Sequence, residues 1–274
     1  LAAGIFDHLE RIDLLEIIAD DFFDAPARDI RALKTLASQI PVVLHGIGLG
    51  LASASPVEKP LLEEMARLVG QVQPESWSEH LAFVRAGGLE TGHLAAPPRT
   101  PETVEGSAEN LFLAAKSVGS KPLMENIATI LDPPASTFSE SSWISSILHS
   151  ANCDLLLDLH NLFANGLNHG YNPYDFLRQI PLSRVKAIHI AGGKFVSAAD
   201  GRVRLLDDHL HDVPDPVFAL LEEVAAISPH PLTVILERDG AYPPMAELLH
   251  QIARARSSLA RGRARRLACL ESRI

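Results

Sequence analysis

Short apolar runs recur along the chain, and most of them end in a histidine, a carboxylate or an asparagine. Leu14–Ile18, Val42–Ile47, Trp77–Phe83, Lys121–Asn126, Asp154–Leu157, Val185–Ile190 and Leu232–Glu237 each read as a strand of a buried parallel sheet. The segments between them space their apolar residues by three and four, the period of a helix packed on one side. Ile30, Leu33 and Leu36 mark such a helix within Ala27–Ser38. Pro60–Val72, Thr103–Val118, Ser141–Ser150 and Pro173–Ile180 mark others, and Val217, Leu220, Leu221 and Val224 mark one beginning at Asp215. Ile5–Glu10 reads as a short first helix, and a terminal helix starts at Pro244. A strand followed by a helix, seven times over, is the repeat of a (β/α) barrel. The fold class is therefore α/β, a TIM-type (β/α)8 barrel. Its first strand is expected upstream of Leu1, because the helix at Ile5–Glu10 has no strand before it. Gly87–Pro101, rich in Gly, Pro and Thr, reads as a long functional loop.

Composition narrows this picture. The 274 residues, 47% hydrophobic and 5% aromatic, suit one aliphatic α/β core. We expect a single metal-binding barrel over residues 1–253, followed by a basic tail over 254–274. That tail carries Arg254, Arg256, Arg261, Arg263, Arg265, Arg266 and Arg273, either as a solvated helix end or as a contact for an acidic partner. A formal net charge of −10 argues against a general nucleic-acid binder. No run of about 18 apolar residues and no opening signal-peptide pattern occur, so no membrane span and a cytoplasmic location are expected. With Cys153 and Cys269 as the sole cysteines, no thiolate metal site is suggested, and any metal must take His and carboxylate ligands.

The transition from apolar strand to polar cluster is sharpest in Asp154–Gly170, DLLLDLHNLFANGLNHG. In parallel α/β sheets the C-terminal strand ends bind ligands. His45, His80, Glu125, Asp158, His189 and Glu237 each lie at or just past the end of a different strand, and Asp207 and His209 lie on a loop expected above that rim. A single histidine of this kind is usually a hydrogen-bonded structural residue. Carboxylates ending one apolar strand after another are harder to explain that way, because burying them is costly unless they are paired or metal-bound. Eight oxygen and nitrogen donors exceed the needs of one four-coordinate zinc and suit two or three ions bridged by carboxylates. Ligand type alone leaves iron, manganese and zinc open. The spacing Gly46, Gly48, Gly50 looks like a phosphate loop, but the dinucleotide fingerprint is not completed there.

Taken together, His45-Gly46, Ser78-Glu79-His80, Glu125-Asn126, the Asp158–Asn161 block with Asn168-His169-Gly170, His189-Ile190-Ala191-Gly192, Asp207 with His209, and Glu237-Arg238-Asp239 resemble the multinuclear non-haem iron-dependent oxidases. That family includes the methanobactin-forming oxidase and the 3-thiaglutamate-pathway enzyme acting on a peptide's terminal cysteine. The resemblance runs from Glu16 to Pro244 and is specific in the order and position of its motifs. It implies a TIM-type barrel holding two or three irons, mixed ferrous and ferric, that use dioxygen to oxidise cysteines of a ribosomally made precursor peptide. A small partner protein that presents the peptide is implied as well. The metal ligands it implies are His45, His80, Glu125, Asp158, His189, Asp207, His209 and Glu237, with Glu125 or Asp158 as bridging carboxylates. His160, Asn161 and Asp239, with Asn126, are implied to orient these ligands or to add to them.

Two positions depart from the family pattern. His160 stands where Asn is common and is expected to add a ligand or a proton-transfer group; Gly193 stands where His is common and is expected to widen the pocket. His93, His169 and His211 are expected in loops near the rim, and Asn168-His169-Gly170 in a loop shaping substrate access. The alternative function is a redox-neutral divalent-metal barrel, sugar isomerase-like or AP-endonuclease-like, using metal-activated water or Lewis-acid polarisation.

Overall fold

The apolar runs become parallel strands, and what joins them decides their direction. A computed structural model describes residues 2–197 and 201–272, so Leu1 and Arg273 lie outside the described residues. The chain divides into two compact units, one of residues 8–127 and 133–155, the other of the remaining described residues.

The first unit contains β1 (Leu15–Ile18), β2 (Val42–Gly46), β3 (Trp77–His80), β4 (Phe83–Ala86), β5 (Leu89–Ala95) and β6 (Leu123–Glu125). β1, β2, β3 and β6 lie side by side in that order, all parallel. Parallel neighbours need crossover connections, and helices supply them. Ala27–Ala37 buries Ile30 and Leu33, and Lys59–Val72 buries Leu62, Met65, Leu68 and Val72. Pro101–Val118 is opened by a capping box between Thr100 and Thr103 and closed by Gly119 at φ 88°. The register aligns the strand ends: Ile18 with His45, His45 with Ser78, and His80 with Glu125.

The second unit contains the end of β7 (Asp154–Asp158), then β8 (Val185–Ile190), β9 (Lys194–Ser197), β10 (Val203–Leu206) and β11 (Thr233–Leu236). β8 lies beside β7, β11 runs parallel to β8, and β9 and β10 form a separate antiparallel pair. Leu155, Leu156 and Leu157 are all at most 1% exposed, so β7 shows no inside-outside alternation.

Three segments differ from the sequence pattern. Gly87–Pro101 is not a loop for most of its length: β4 and β5 form a hairpin, with Ala86 opposite Leu89 across Gly87 (φ 58°) and Gly88 (φ 79°). Consecutive left-handed glycines are the two-residue turn that matches strand twist. Asn168-His169-Gly170 is a helix end, because Leu159–His169 is one helix with Gly170 (φ 76°) as its cap. Asn165 and Asn168 hold it in place: Asn165 accepts from Thr129 N, and Asn168 exchanges hydrogen bonds with the backbone of Leu205. The arginines after Ala253 continue the helix Met245–Glu271 without a break. Arg254 pairs with Asp215 and covers the Phe218 ring, Arg261 and Arg265 pair with Glu222 and Glu223, and Arg266 donates to Ile227 O. Much of that charge is thus spent on the helix Asp215–Ile227. No described helix is long and apolar enough to cross a membrane.

One polar residue holds the later part, Leu51–Val57, of the loop that leaves β2. Asn110, 1% exposed on the helix Pro101–Val118, donates through Nδ2 to the carbonyls of Leu51, Ser53 and Ser55, and its Oδ1 accepts from Val57 N at 2.8 Å. Removing it leaves several buried backbone groups unsatisfied, at about 1–3 kcal/mol for each group that water cannot reach. Asn110→Ala is expected to lower the urea unfolding midpoint with little change in the m value; an unchanged midpoint would show that the loop does not depend on it.

Candidate metal centre

In the first unit the aligned strand ends bring three donors together. His45 Nε2 and His80 Nε2 are 3.3 Å apart, and Glu125 Oε2 lies 3.3 Å from the first and 3.4 Å from the second. Two donors bound about 2.1 Å from one ion lie about 3.0–3.4 Å apart, from octahedral to tetrahedral angles. The triangle has that size. His45 and Glu125 are 1% exposed and His80 8%.

The outer nitrogens decide what the inner ones offer. His80 Nδ1 lies 3.2 Å from Gly46 O, which can only accept, so Nδ1 carries a proton and the neutral ring offers its lone pair at Nε2. His45 Nδ1 lies 2.7 Å from Ser78 Oγ, which donates onward to Leu44 O, giving His45 the same tautomer. Two imidazole lone pairs and a carboxylate oxygen therefore face one another, an electron-rich arrangement that suits a cation. The Gly46–Gly50 loop cannot cradle phosphate with the N–H groups of Ile47, Gly48 and Leu49, because Asp20 and Glu79 accept all of them.

The second unit holds a larger donor set. Asp158, fully buried at the end of β7, caps the next helix: its Oδ1 accepts from Asn161 N at 2.6 Å, and its Oδ2 lies 4.0 Å from His189 Nδ1. His189 Nδ1 is 3.0 Å from Glu237 Oε2. Asp207 Oδ1 is shared by His160 Nδ1 at 2.8 Å and His209 Nε2 at 2.6 Å, while His209 Nδ1 faces Glu237 Oε1 at 3.3 Å and Asp239 Oδ2 at 3.1 Å. His160, Asp207 and His209 form one candidate ligand group; Asp158, His189 and Glu237 fall in another; and His209, Glu237 and Asp239 in a third. His160 Nε2 is buried with no hydrogen-bond partner among the described residues. Such an atom costs about 1–3 kcal/mol unless something binds it.

Burial raises the Asp207 carboxyl, but hydrogen bonds from His160 and His209 outweigh it and hold its pKa below the usual range. Burial likewise raises Glu237, and the neighbouring His189 and His209 outweigh it and bring it well below normal. His209 is the counterpart: burial lowers its pKa, yet Asp207, Asp239 and Glu237 together raise it far above that of a free imidazole. His209 also sits at φ 50°, unusual outside glycine, with its ring held by all three carboxylates.

Gly193 does not widen a pocket. A Cβ there would lie 2.1 Å from Leu206 O and 2.6 Å from His160 Cε1, so the buried imidazole at 160 already occupies that side. At Gly192 a Cβ would lie 2.2 Å from Asp212 O. His93 is on β5 rather than in a loop and is exposed; His169 ends its helix, with Nε2 2.8 Å from Thr129 Oγ1; exposed His211 pairs with Asp208. Sequence reasoning passed over Asp20, Ser78 and Glu79 as supports. The signal for two of them was present, since Ser78 and Glu79 directly precede His80.

The family model described as RiPP precursor modification enzyme MbnB/TglH/ChrH matches residues 1–260. A UPF0276 protein of Caulobacter vibrioides is 31% identical over 252 residues, covering 92% of this chain and 88% of its own. One from Pasteurella multocida is 34% identical, covering 88% and 85%. Among solved structures, an L-ribulose 3-epimerase superposes with TM-score 0.63 at 15% identity over 99% of this chain and 91% of its own. A xylose isomerase domain containing protein of Salmonella typhimurium does so with TM-score 0.61 at 15% identity over 95% and 93%. These likenesses show a TIM-barrel fold of the xylose isomerase type, as the strand-helix pattern predicts.

Gly193→Ala should force His160 or the Leu206 backbone to move. We expect a loss of about 1–3 kcal/mol, typical of overpacking, read as a lower thermal midpoint. An unchanged midpoint would mean that His160 is free to yield.

Proposed function

Because the chain belongs to the RiPP precursor modification enzyme family MbnB/TglH/ChrH, we propose that it is an iron- and dioxygen-dependent oxidase acting on cysteine residues of a ribosomally synthesised precursor peptide. Family membership supports the peptide substrate. The observation that carries the metal reading is the triangle of His45 Nε2, His80 Nε2 and Glu125 Oε2. Iron, dioxygen and cysteine are the finer steps. They rest on the resemblance of the motifs; the donor chemistry, imidazole and carboxylate with no thiolate, is compatible with iron.

His45, His80 and Glu125 would hold one ion. Asp158, His189 and Glu237, with Asp207 and His209, provide donors for one or two more. Bound iron supplies one-electron chemistry with dioxygen and lowers the pKa of a thiol. The residues around it set positions and protons. Ser78 and Gly46 fix the imidazole tautomers, and Asp158 keeps one carboxylate oxygen directed by giving the other to the helix cap at Asn161. Asp207 orients His160 through Nδ1, so His160 Nε2 is the atom placed to add a ligand or to carry a proton for the substrate. Asp239, half-exposed, steadies His209 from outside. A small partner protein presenting the peptide is part of the proposal. The L-ribulose 3-epimerase shares this fold at 15% identity, and a fold does not carry a substrate.

Three outcomes follow. Glu125→Ala or Asp158→Ala is expected to lower iron content after anaerobic loading well below that of a surface variant; unchanged occupancy would remove that residue from the ligand set. Oxygen uptake should depend on both iron and a Cys-containing precursor peptide and should vanish with the Cys→Ser peptide; equal uptake with the two peptides would refute cysteine as the target. Finally, His209 keeps its proton at neutral pH in the metal-free protein, because its pKa is raised. A metal taken by that ring must displace the proton, so loading should release it and should strengthen as pH rises. Calorimetry in buffers of different ionisation enthalpy counts that proton, and no release at pH 7 would exclude His209 as a ligand.

A further inference from the structure

The loop leaving β2 is held by two carboxylates that the metal reading does not use. Asp20 follows β1, and its two oxygens accept from Ile47 N at 2.8 Å and Gly48 N at 2.9 Å. Glu79, fully buried within β3, accepts from Leu49 N at 3.1 Å through Oε2 and from His80 N at 2.9 Å through Oε1. Four backbone donors are bound in this way. The fit leaves little room for a side chain at either glycine: a Cβ at Gly46 would lie 2.9 Å from Glu79 Oε2, and one at Gly48 2.6 Å from Asp20 Oδ1. Arg85 Nη1 closes the loop from the other side by donating to Gly48 O at 2.7 Å.

The loop begins with the carbonyl that sets His80. Gly46 O receives the Nδ1 proton of His80 at 3.2 Å, and Glu79 Oε1 lies 3.4 Å from the same nitrogen. A loop needing only to be tied down could use neutral amides, whereas burying the full charge of Glu79 is costly and has to be offset. A carboxylate behind a ligating imidazole fixes its tautomer and raises the basicity of the far nitrogen. We propose that Asp20 and Glu79 are positioning residues: they clamp Gly46–Leu49 so that the Gly46 carbonyl and Glu79 Oε1 keep the His80 proton on Nδ1 and its Nε2 lone pair on the metal side. The tautomer half of this proposal stands by itself; the consequence for metal rests on the iron reading above.

The test uses the full chain, metal-free, with nitrogen-15-labelled histidine. In the wild type His80 should show the Nδ1–H tautomer. Glu79→Gln and Asp20→Asn should each shift it toward a mixture, while Ser78→Ala disturbs His45 and leaves His80 as it was. Ferrous affinity measured on the same variants should fall about 10–100-fold, the usual size of such second-layer effects. Asp20 is half-buried, so Asp20→Asn answers the question if Glu79→Gln does not fold. A wild-type tautomer in every folded clamp variant would overturn the proposal. A changed tautomer with unchanged ferrous affinity would support the clamp and count against the metal reading of His80.

Discussion

Two imidazole nitrogens and a carboxylate oxygen lie within 3.4 Å of one another, an arrangement that a positive charge among them stabilises. Either a proton is shared between His45, His80 and Glu125, or a cation sits there; the geometry around them favours the cation. Each imidazole has a place for one proton on its outer nitrogen, against Ser78 Oγ and Gly46 O, so both inner nitrogens can offer lone pairs to an ion. The parallel register does the rest. It places His45 beside Ser78 and His80 beside Glu125, so the ladder that builds the sheet also assembles the donors.

The second unit meets a similar demand with atoms that serve twice. Asp158 ends a strand, caps a helix and directs its second oxygen toward His189. Asp207 holds two imidazoles through one oxygen, and His209 accepts a left-handed backbone to reach three carboxylates. Strain of about 1–3 kcal/mol at such a residue persists only where its surroundings fix it. The close approaches at Gly192 and Gly193 belong to the same arrangement, since a side chain at either would strike a backbone carbonyl.

Much of this was legible in the chain. Each strand that ends in His, Glu or Asp was visible because buried parallel strands are apolar throughout, so a polar residue marks the end. What was harder to read has a physical reason in each case. The β4–β5 hairpin was hidden by glycines and prolines that suggested a loop, although Gly87-Gly88 is itself a hairpin signal. Asn168-His169 read as a loop because Asn disfavours helix interiors, but here Asn165 and Asn168 are satisfied by other backbone groups. The arginines after Ala253 read as surface charge, and the acidic partners of several lie on the preceding helix, out of reach of any local pattern. Asp20 escaped notice because its partners are backbone N–H groups more than twenty residues away.

The central question is whether a metal occupies the triangle in the first unit. Crystals of anaerobically iron-loaded protein, with diffraction recorded on either side of the iron absorption edge, would show this directly. The account predicts an anomalous peak about 2.0–2.2 Å from His45 Nε2, His80 Nε2 and a Glu125 oxygen, the usual range for imidazole and carboxylate ligands. A fully loaded crystal with no peak there, and the three donors still in mutual contact, would contradict it.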